Sequence, residues 1–283
     1  MVKKLYRHEF AALFRIALPI AALCLVLSGL LSGAIAIQRN LPEDVSDVTA
    51  IMIGLCAFAY IISIIVMTVA SYFIVIARFY KHLLSNEGYL TFSFPINPTT
   101  HLVCKLLCGC VVTLFSALVA LVSFNIVFIG AGGSYAEIFE FFAEIDFSSI
   151  PKEMVPELIG VLSLTIVGTI VSLFMGILLP YAAMCIGQLS KKNKLGMSFL
   201  WYFVMNSVAN IISNIVGTIM VTVIMLRDGA SYYETATTPI ESAEMVLDNV
   251  SISMLQVVLM GTVFSIVYFL IARYILNNKL NLE

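Results

Sequence analysis

Six apolar runs dominate this 283-residue chain, and each is long enough to cross a lipid bilayer as one helix. A helix that spans the hydrocarbon core needs roughly 20 consecutive, mostly apolar residues. The runs cover approximately residues 16–37, 49–77, 102–131, 158–187, 195–226 and 252–276. The composition agrees, because 61% of the residues are hydrophobic and 11% are charged, whereas soluble domains carry about 25% charged residues. The sequence therefore predicts an all-α membrane protein with six transmembrane helices in a single domain, 1–283.

The distribution of Lys and Arg predicts the orientation of these helices. An even number of crossings places both ends of the chain on the same side. Twelve of the 15 Lys and Arg residues fall on that side, whereas 14 of the 17 acidic residues fall on the other side. Because basic residues are enriched on the cytoplasmic side, we expect both termini in the cytoplasm.

The segment 78–105, between the second and third runs, is a long basic excursion on the same predicted side. Ser85 or Asn86 is suited to cap a short helical turn over residues 87–89. The segment also contains apolar side chains, which must be buried in the membrane, under the chain's own helices or in a partner's groove. We interpret it as a docking element, and packing under the chain's own helices stays open as the alternative. The predicted docking residues are Ser85, Asn86, Glu87, Gly88, Tyr89, Leu90, Phe92 and Phe94.

The stretch before the first run has the pattern of an interfacial helix. Leu5, Phe10 and Phe14 fall on one side of such a helix, and basic residues fall on the other. This pattern suits a helix that lies along the cytoplasmic leaflet before the chain turns inward near Pro19. An ordinary basic flank of the first span is the alternative. The basic residues are Lys4, Arg7, His8 and Arg15.

Small residues at four-residue spacing predict close helix packing in two of the runs. Gly29 and Gly33 lie in the first run, and Gly168, Ser172 and Gly176 lie in the fourth. Small side chains at this spacing allow helix backbones to approach closely within a membrane.

Three amides mark one face of the fifth run, at Asn206, Asn210 and Asn214. Polar side chains within membrane helices rarely face lipid. We therefore expect this face to contact another helix, to form a seam with a second copy, or to line a polar transport path.

The two longer loops on the acidic side give different expectations. The loop 132–157 places Ile138, Phe141, Phe142 and Ile145 along one helical face, which predicts an amphipathic surface helix. The loop 227–248 is acidic and is expected to be irregular.

The spans lack the residue patterns of several functional classes. No Asp or Glu lies within the membrane cores, which disfavours a carrier driven by protons or sodium. The basic residues within runs, Lys105 and Arg273, lie near cytoplasmic ends and are expected to extend towards the surface.

The six cysteines lie in apolar runs without His or carboxylates at ligand spacing, which favours packing over metal binding. No phosphate-binding loop, zinc motif or nucleophile elbow is present, so we expect no enzymatic activity, no catalytic residue and no cofactor or metal on this chain.

Three stretches resemble one known family. They are KKLYRHEFAALFRIALPI, NEGYLTFSFPINPTTHLVCKLL and ARYILNNKLNLE. The chain is similar in these stretches to bacterial ATP-binding-cassette transporter permeases of type 2 exporter architecture, particularly a group common in anaerobic Firmicutes.

The resemblance implies specific roles for parts of the chain. It places an elbow helix at about Leu5–Phe14 and a coupling helix at about Ser85–Phe94, which would dock into a separate cytoplasmic ATPase. Two permeases and two ATPases would form the working unit in the bacterial plasma membrane, in contact with lipids and not with nucleic acid. ATP and Mg²⁺ would be bound by the ATPase. The loop before the sixth run matches the family's short outer helices less clearly.

The sequence thus leads to one main functional expectation and two alternatives. The main expectation is the permease subunit of an ATP-driven exporter with an unidentified substrate. The alternatives are a non-transporting membrane scaffold or immunity protein and, less favoured, a secondary transporter.

Overall fold

The computed structural model describes residues 2–40, 46–85, 88, 93, 97–136, 140, 154–190, 193–228 and 239–278. Within these ranges the chain forms six α-helices and no β-strand, and a π-helical turn, Tyr80–Leu84, extends the second helix. All six helices are long and apolar enough to cross a membrane, which confirms for this part of the chain the predicted all-α class with six helices of membrane-spanning length. The helices are α1 (Val2–Gln38), α2 (Ser46–Phe79), α3 (Pro98–Gly130), α4 (Met154–Gly187), α5 (Lys194–Asp228) and α6 (Pro239–Asn278).

Helix α1 is longer than the apolar run within it and continues through Pro19. Proline lacks a backbone N–H and often kinks a helix. Here α1 is one unbroken helix from Val2 to Gln38, so no break separates the predicted elbow at Leu5–Phe14 from the first span, and its position along the membrane surface stays a prediction.

The loops on the acidic side are shorter than the sequence suggested. Helix α6 begins at Pro239, so the expectation of irregular chain was wrong for residues 239–248. Proline suits the first position of a helix because its missing N–H would have no intrahelical partner there. The apolar residues of the predicted surface helix, Ile138, Phe141, Phe142 and Ile145, lie outside the described residues.

The helices are divided between two compact units. The first unit comprises Met1–Phe79 and Thr100–Ile145, and the second comprises Tyr80–Thr99 and Asp146–Glu283. The first unit thus holds α1, α2 and nearly all of α3, whereas α4, α5 and α6 belong to the second.

Small and apolar side chains form the core of the first unit. Ala21 and Cys24 of α1 cluster with Met67 of α2 and Val119 of α3. Phe115 of α3 packs against this cluster, and its ring lies 4.9 Å from that of Phe14, measured between centroids. The aromatic side of the N-terminal part of α1 therefore packs on α3, and its basic residues Lys4, Arg7, His8 and Arg15 are exposed.

The second unit packs α4 against both α5 and α6. The segment 177–185 of α4 is buried at every position. The turn into α5 passes through Asn193, whose φ of 58° lies in the left-handed region that Asn adopts more readily than most residues. After this turn, Ser198 of α5 lies directly against Gly187 of α4, where an added Cβ would overlap the serine.

Candidate functional site

The first unit contains a buried ion cluster centred on the carboxylate of Glu9. Arg78 Nε donates to Glu9 Oε2 at 2.7 Å, and Lys105 Nζ donates to Glu9 Oε1 at 3.0 Å. The exposed fraction of the side chain is 8% for Glu9, 17% for Arg78 and 5% for Lys105. We call these three residues the Glu9 cluster.

The positions of the three residues explain why the cluster forms. Glu9 lies in the second turn of α1, Arg78 lies in the last turn of α2, and Lys105 lies in the second turn of α3. Arg78 and Lys105 are also the two ends of the segment 78–105. One carboxylate therefore links both ends of the predicted docking element to the N-terminal helix.

Lys105 corrects one expectation from the sequence. It was expected to extend towards the membrane surface, but its side chain is buried and ion-paired. The reason is a counterion within the same unit, because a buried charge needs a nearby partner to offset the loss of its hydration. The available signal was that Glu9 is one of only three acidic residues on the predicted cytoplasmic side.

Other reactive side chains lie close to the cluster on α3. His101, Cys104 and Cys108 are buried, and Cys108 Sγ lies 3.9 Å from the carbonyl oxygen of Tyr6. All six cysteines are free thiols. Within the described ranges, no group of three or more His, Cys, Asp or Glu residues is arranged to hold a metal ion.

The structure describes only a small part of the predicted docking residues. The N–H of Gly88 donates to the carbonyl oxygen of Ser85 at 2.7 Å, and Gly88 is buried. The helical turn predicted over residues 87–89 includes residues outside the described ranges and stays a prediction. Asn86, Glu87, Tyr89, Leu90, Phe92 and Phe94 lie outside the described residues, so the coupling helix stays a prediction.

The second unit carries a continuous row of uncharged polar side chains on α5. Asn206, Asn210, Asn214, Thr218 and Thr222 follow one another at four-residue spacing, and we call this row the α5 polar stripe. The amide of Asn210 donates to the carbonyl oxygen of Asn206 at 2.8 Å, and that of Asn214 donates to Asn210 at 2.8 Å. The hydroxyls of Thr218 and Thr222 continue the pattern at 2.9 and 2.8 Å.

Through these hydrogen bonds, side chains of the stripe donate to carbonyl oxygens of α5 itself. Asn206 is half-buried and the other four residues are exposed, so the described helices of this unit leave most of the stripe uncovered. The sequence analysis identified the three asparagines but not the two threonines that extend the row. Contact with another helix, a seam with a second copy and a polar path all stay predictions for this face.

Gln256 of α6 lies beside the polar stripe and lines two neighbouring cavities. Its Nε2 donates to the carbonyl oxygen of Ser213 at 2.6 Å. On one side is a groove of about 310 Å³, lined by Asn214, Gly217, Thr218, Val221, Thr222 and Gln256. On the other side is a cavity of about 150 Å³, whose lining includes Gln256, Ser172, Met175, Met260 and Phe264. We call the two together the Gln256 groove.

The small residues that were predicted to allow close helix packing differ in their burial and in how near other side chains lie. Gly29 and Gly33 are exposed, and among the described residues no atom lies within 4 Å of a Cβ added at either position. Gly168 is buried, with Val258 3.6 Å from such a Cβ. Ser172 is exposed and Gly176 is half-buried.

One close glycine contact of the first unit joins two residues that the sequence analysis did not single out. Gly130 at the end of α3 lies against Ser32 of α1, where an added Cβ would overlap the serine. The two residues are far apart in the chain, so no local spacing pattern marks the contact.

Comparisons of the chain with protein-family models, with curated proteins and with solved structures give no match. The functional argument therefore depends on the residues and geometry of this chain.

Proposed function

We propose that this chain is the membrane-spanning permease subunit of an ATP-driven exporter and that its segment 78–105 receives a separate ATPase. Six apolar helices supply a membrane domain, and the sequence contains no phosphate-binding loop of its own. The energy for uphill transport would then come from a partner that binds ATP and Mg²⁺.

The observation that carries this proposal is the attachment of both ends of the segment 78–105 to Glu9. Charge-assisted hydrogen bonds are short and roughly twice as strong as neutral ones, and their strength rises where water is excluded. A force on the segment would therefore move α1, α2 and α3 together instead of being absorbed at the ends of a loose loop. A segment that merely connected two spans would not need such an attachment.

The remaining parts of the proposal follow the family resemblance. Both termini and the segment 78–105 would face the cytoplasm of a bacterial cell, and a second permease would complete the membrane assembly. The α5 polar stripe is the candidate for either the path or the seam between permeases.

The test is the recovery of partners from membranes in mild detergent at native expression levels. We expect an ATPase with nucleotide-binding motifs to accompany the native chain and to be lost with Glu87→Lys and with Gly88→Pro. Glu157→Lys is the matched control, because Glu157 is an exposed residue in the first turn of α4, on the predicted outer side. Its recovery of the ATPase should equal that of the native chain.

The opposite outcome favours a different class of function. If the native chain never associates with an ATPase, the exporter proposal fails and a membrane scaffold or immunity protein becomes the better interpretation. Such a protein would keep its activity when Glu87 or Gly88 is substituted.

A further inference from the structure

The Gln256 groove combines a polar wall and an apolar wall around one amide. The polar wall comes from α5, where Asn214, Thr218 and Thr222 line the larger part of the groove. The apolar wall comes mainly from Met260 and Phe264 of α6, together with Met175 of α4. The volume of the polar part, about 310 Å³, is at the lower end of the range of roughly 300–1,000 Å³ that is typical of small-molecule sites.

Among the described residues, no ionisable side chain lines the groove. The neighbouring sequence is also neutral, since α5 has no charged residue between Lys194 and Arg227 and α6 has none between Asp248 and Arg273. A charged group bound here would lose hydration without gaining a counterion, which is costly in an apolar environment. The groove therefore selects against both anions and cations.

The hydrogen bonds of the lining define what kind of uncharged group fits. The hydroxyl hydrogens of Thr218 and Thr222 are used by carbonyl oxygens of their own helix, so their oxygens offer only acceptor sites to the groove. One amide hydrogen of Asn214 is likewise donated within α5, and one of Gln256 is donated across to the Ser213 carbonyl oxygen of α5. The lining thus presents more acceptors than donors, and it suits a ligand that supplies hydrogen-bond donors such as hydroxyls.

Gly217 allows the central amide to take this position. A Cβ added at Gly217 would lie 2.6 Å from Gln256 Oε1 and would push the amide away from α5. A side chain at position 217 would therefore require the end of Gln256 to shift within the groove.

We propose that the Gln256 groove binds an uncharged amphiphile, with a hydroxyl-bearing head against the α5 polar stripe and an apolar chain against Met175, Met260 and Phe264. If the chain is the exporter proposed above, this is the class of molecule that it carries. The binding itself does not depend on an ATPase and is measured on the chain alone.

The experiment uses the purified full chain in phosphatidylcholine nanodiscs and a monoacylglycerol with a photoreactive diazirine on its acyl chain. The competitors share one acyl chain and differ in the head: 1-monoolein is neutral, oleic acid is anionic and oleylamine is cationic. We expect cross-links on α4 and α6 beside the groove. We also expect monoolein to compete at about tenfold lower concentration than either charged amphiphile.

Variants separate a defined site from general contact with lipid. Gln256→Leu should lower the specific labelling about tenfold because it removes the amide, and Gly217→Ala should also lower it because the added methyl group displaces the amide. Thr262→Val is the matched control, since Thr262 is an exposed residue of α6 outside the groove, with its hydroxyl bonded to Val258 of its own helix. If Gln256→Leu does not elute as a folded chain in size-exclusion chromatography, Thr222→Val tests the polar wall of the groove instead, because valine has nearly the same shape as threonine.

Three results would overturn the proposal. They are equal competition by the charged amphiphiles, labelling spread evenly over the apolar faces of all six helices, and an equal loss of labelling with Thr262→Val. Selective binding of monoolein without recovery of an ATPase would support amphiphile binding in the groove and refute the exporter. Recovery of an ATPase without selective binding would support the exporter and refute amphiphile binding in the groove.

Discussion

The two units of this protein differ in the kind of polar side chain they carry and in how exposed it is. The first unit brings three charged groups together in the Glu9 cluster, where Glu9 and Lys105 are buried and Arg78 is half-buried, whereas the second unit leaves most of a row of uncharged amides and hydroxyls on α5 exposed. In water, either kind of group would be hydrated. In an apolar environment each needs protein partners instead, and the partners differ between charged and uncharged groups.

The difference follows from how each kind of group is satisfied. A charge removed from water is tolerated only beside an opposite charge with good geometry, and that requires side chains from several helices. An amide or hydroxyl can instead donate to a carbonyl oxygen one turn earlier in its own helix. The Glu9 cluster therefore depends on the assembly of α1, α2 and α3, whereas the α5 polar stripe is largely satisfied by α5 alone.

The largest expected effect is that of Glu9→Gln. The substitution leaves Arg78 and Lys105 close together without their shared counterion, and breaking a buried ion pair costs about 3–5 kcal/mol. We expect the free energy of unfolding in mixed micelles to fall by this amount. Lys105→Met should cost less, because Arg78 still pairs with Glu9. An equal or larger loss with Lys105→Met would contradict the role of Glu9 as the shared partner.

A charge exchange sharpens this test. The double substitution Glu9→Lys with Lys105→Glu again places one carboxylate and two cations in the cluster. We expect it to recover part of the stability that Glu9→Lys alone loses. No recovery in the same unfolding measurement would mean that the cluster depends on geometry that the exchange cannot reproduce.

The next largest effect is expected at the two glycine–serine contacts, one in each unit. Gly130→Ala and Gly187→Ala would each force a methyl group onto a serine of a neighbouring helix, and overpacking of this kind costs about 1–3 kcal/mol. Gly29→Ala is the control, because no described atom lies within 4 Å of its added Cβ and alanine favours the helix. Loss of stability with all three substitutions, measured by thermal unfolding in detergent, would instead indicate a general sensitivity to alanine.

A smaller effect is expected at the hydrogen bond between Tyr60 of α2 and Ser123 of α3, whose oxygens lie 3.2 Å apart. Such bonds between membrane helices contribute about 0.6 kcal/mol on average. Tyr60→Phe should reduce the free energy of unfolding by about this amount. A double-mutant cycle with Ser123→Ala should then show coupling of the same size, and an absence of coupling would assign the loss to packing.

The smallest effect on the stability of the single chain is expected in the α5 polar stripe. Asn210→Leu removes an exposed side chain whose amide bonds only its own helix among the described contacts. We expect less than about 0.5 kcal/mol of change in the free energy of unfolding. A loss comparable to that of Glu9→Gln would show that the stripe is covered in the folded assembly. Sedimentation in detergent would then decide whether a second copy covers it.

The sequence by itself determined the features that depend on local composition. Runs of about 20 apolar residues predict six spans regardless of how the helices pack, because the thickness of the bilayer sets the length of a crossing. The amides at Asn206, Asn210 and Asn214 share a face for a similar reason, since helical periodicity alone places residues four apart on one side.

Only the tertiary structure decided which distant residues meet. Glu9, Arg78 and Lys105 lie on three different helices, and nothing local to any of them indicates that they converge. The contacts of Gly130 with Ser32 and of Gly217 with Gln256 are likewise set by how the helices pack within each unit. Hydropathy reports whether a residue prefers an apolar environment, but a buried charge or a close backbone contact is stable only when the partner side chain is already in place.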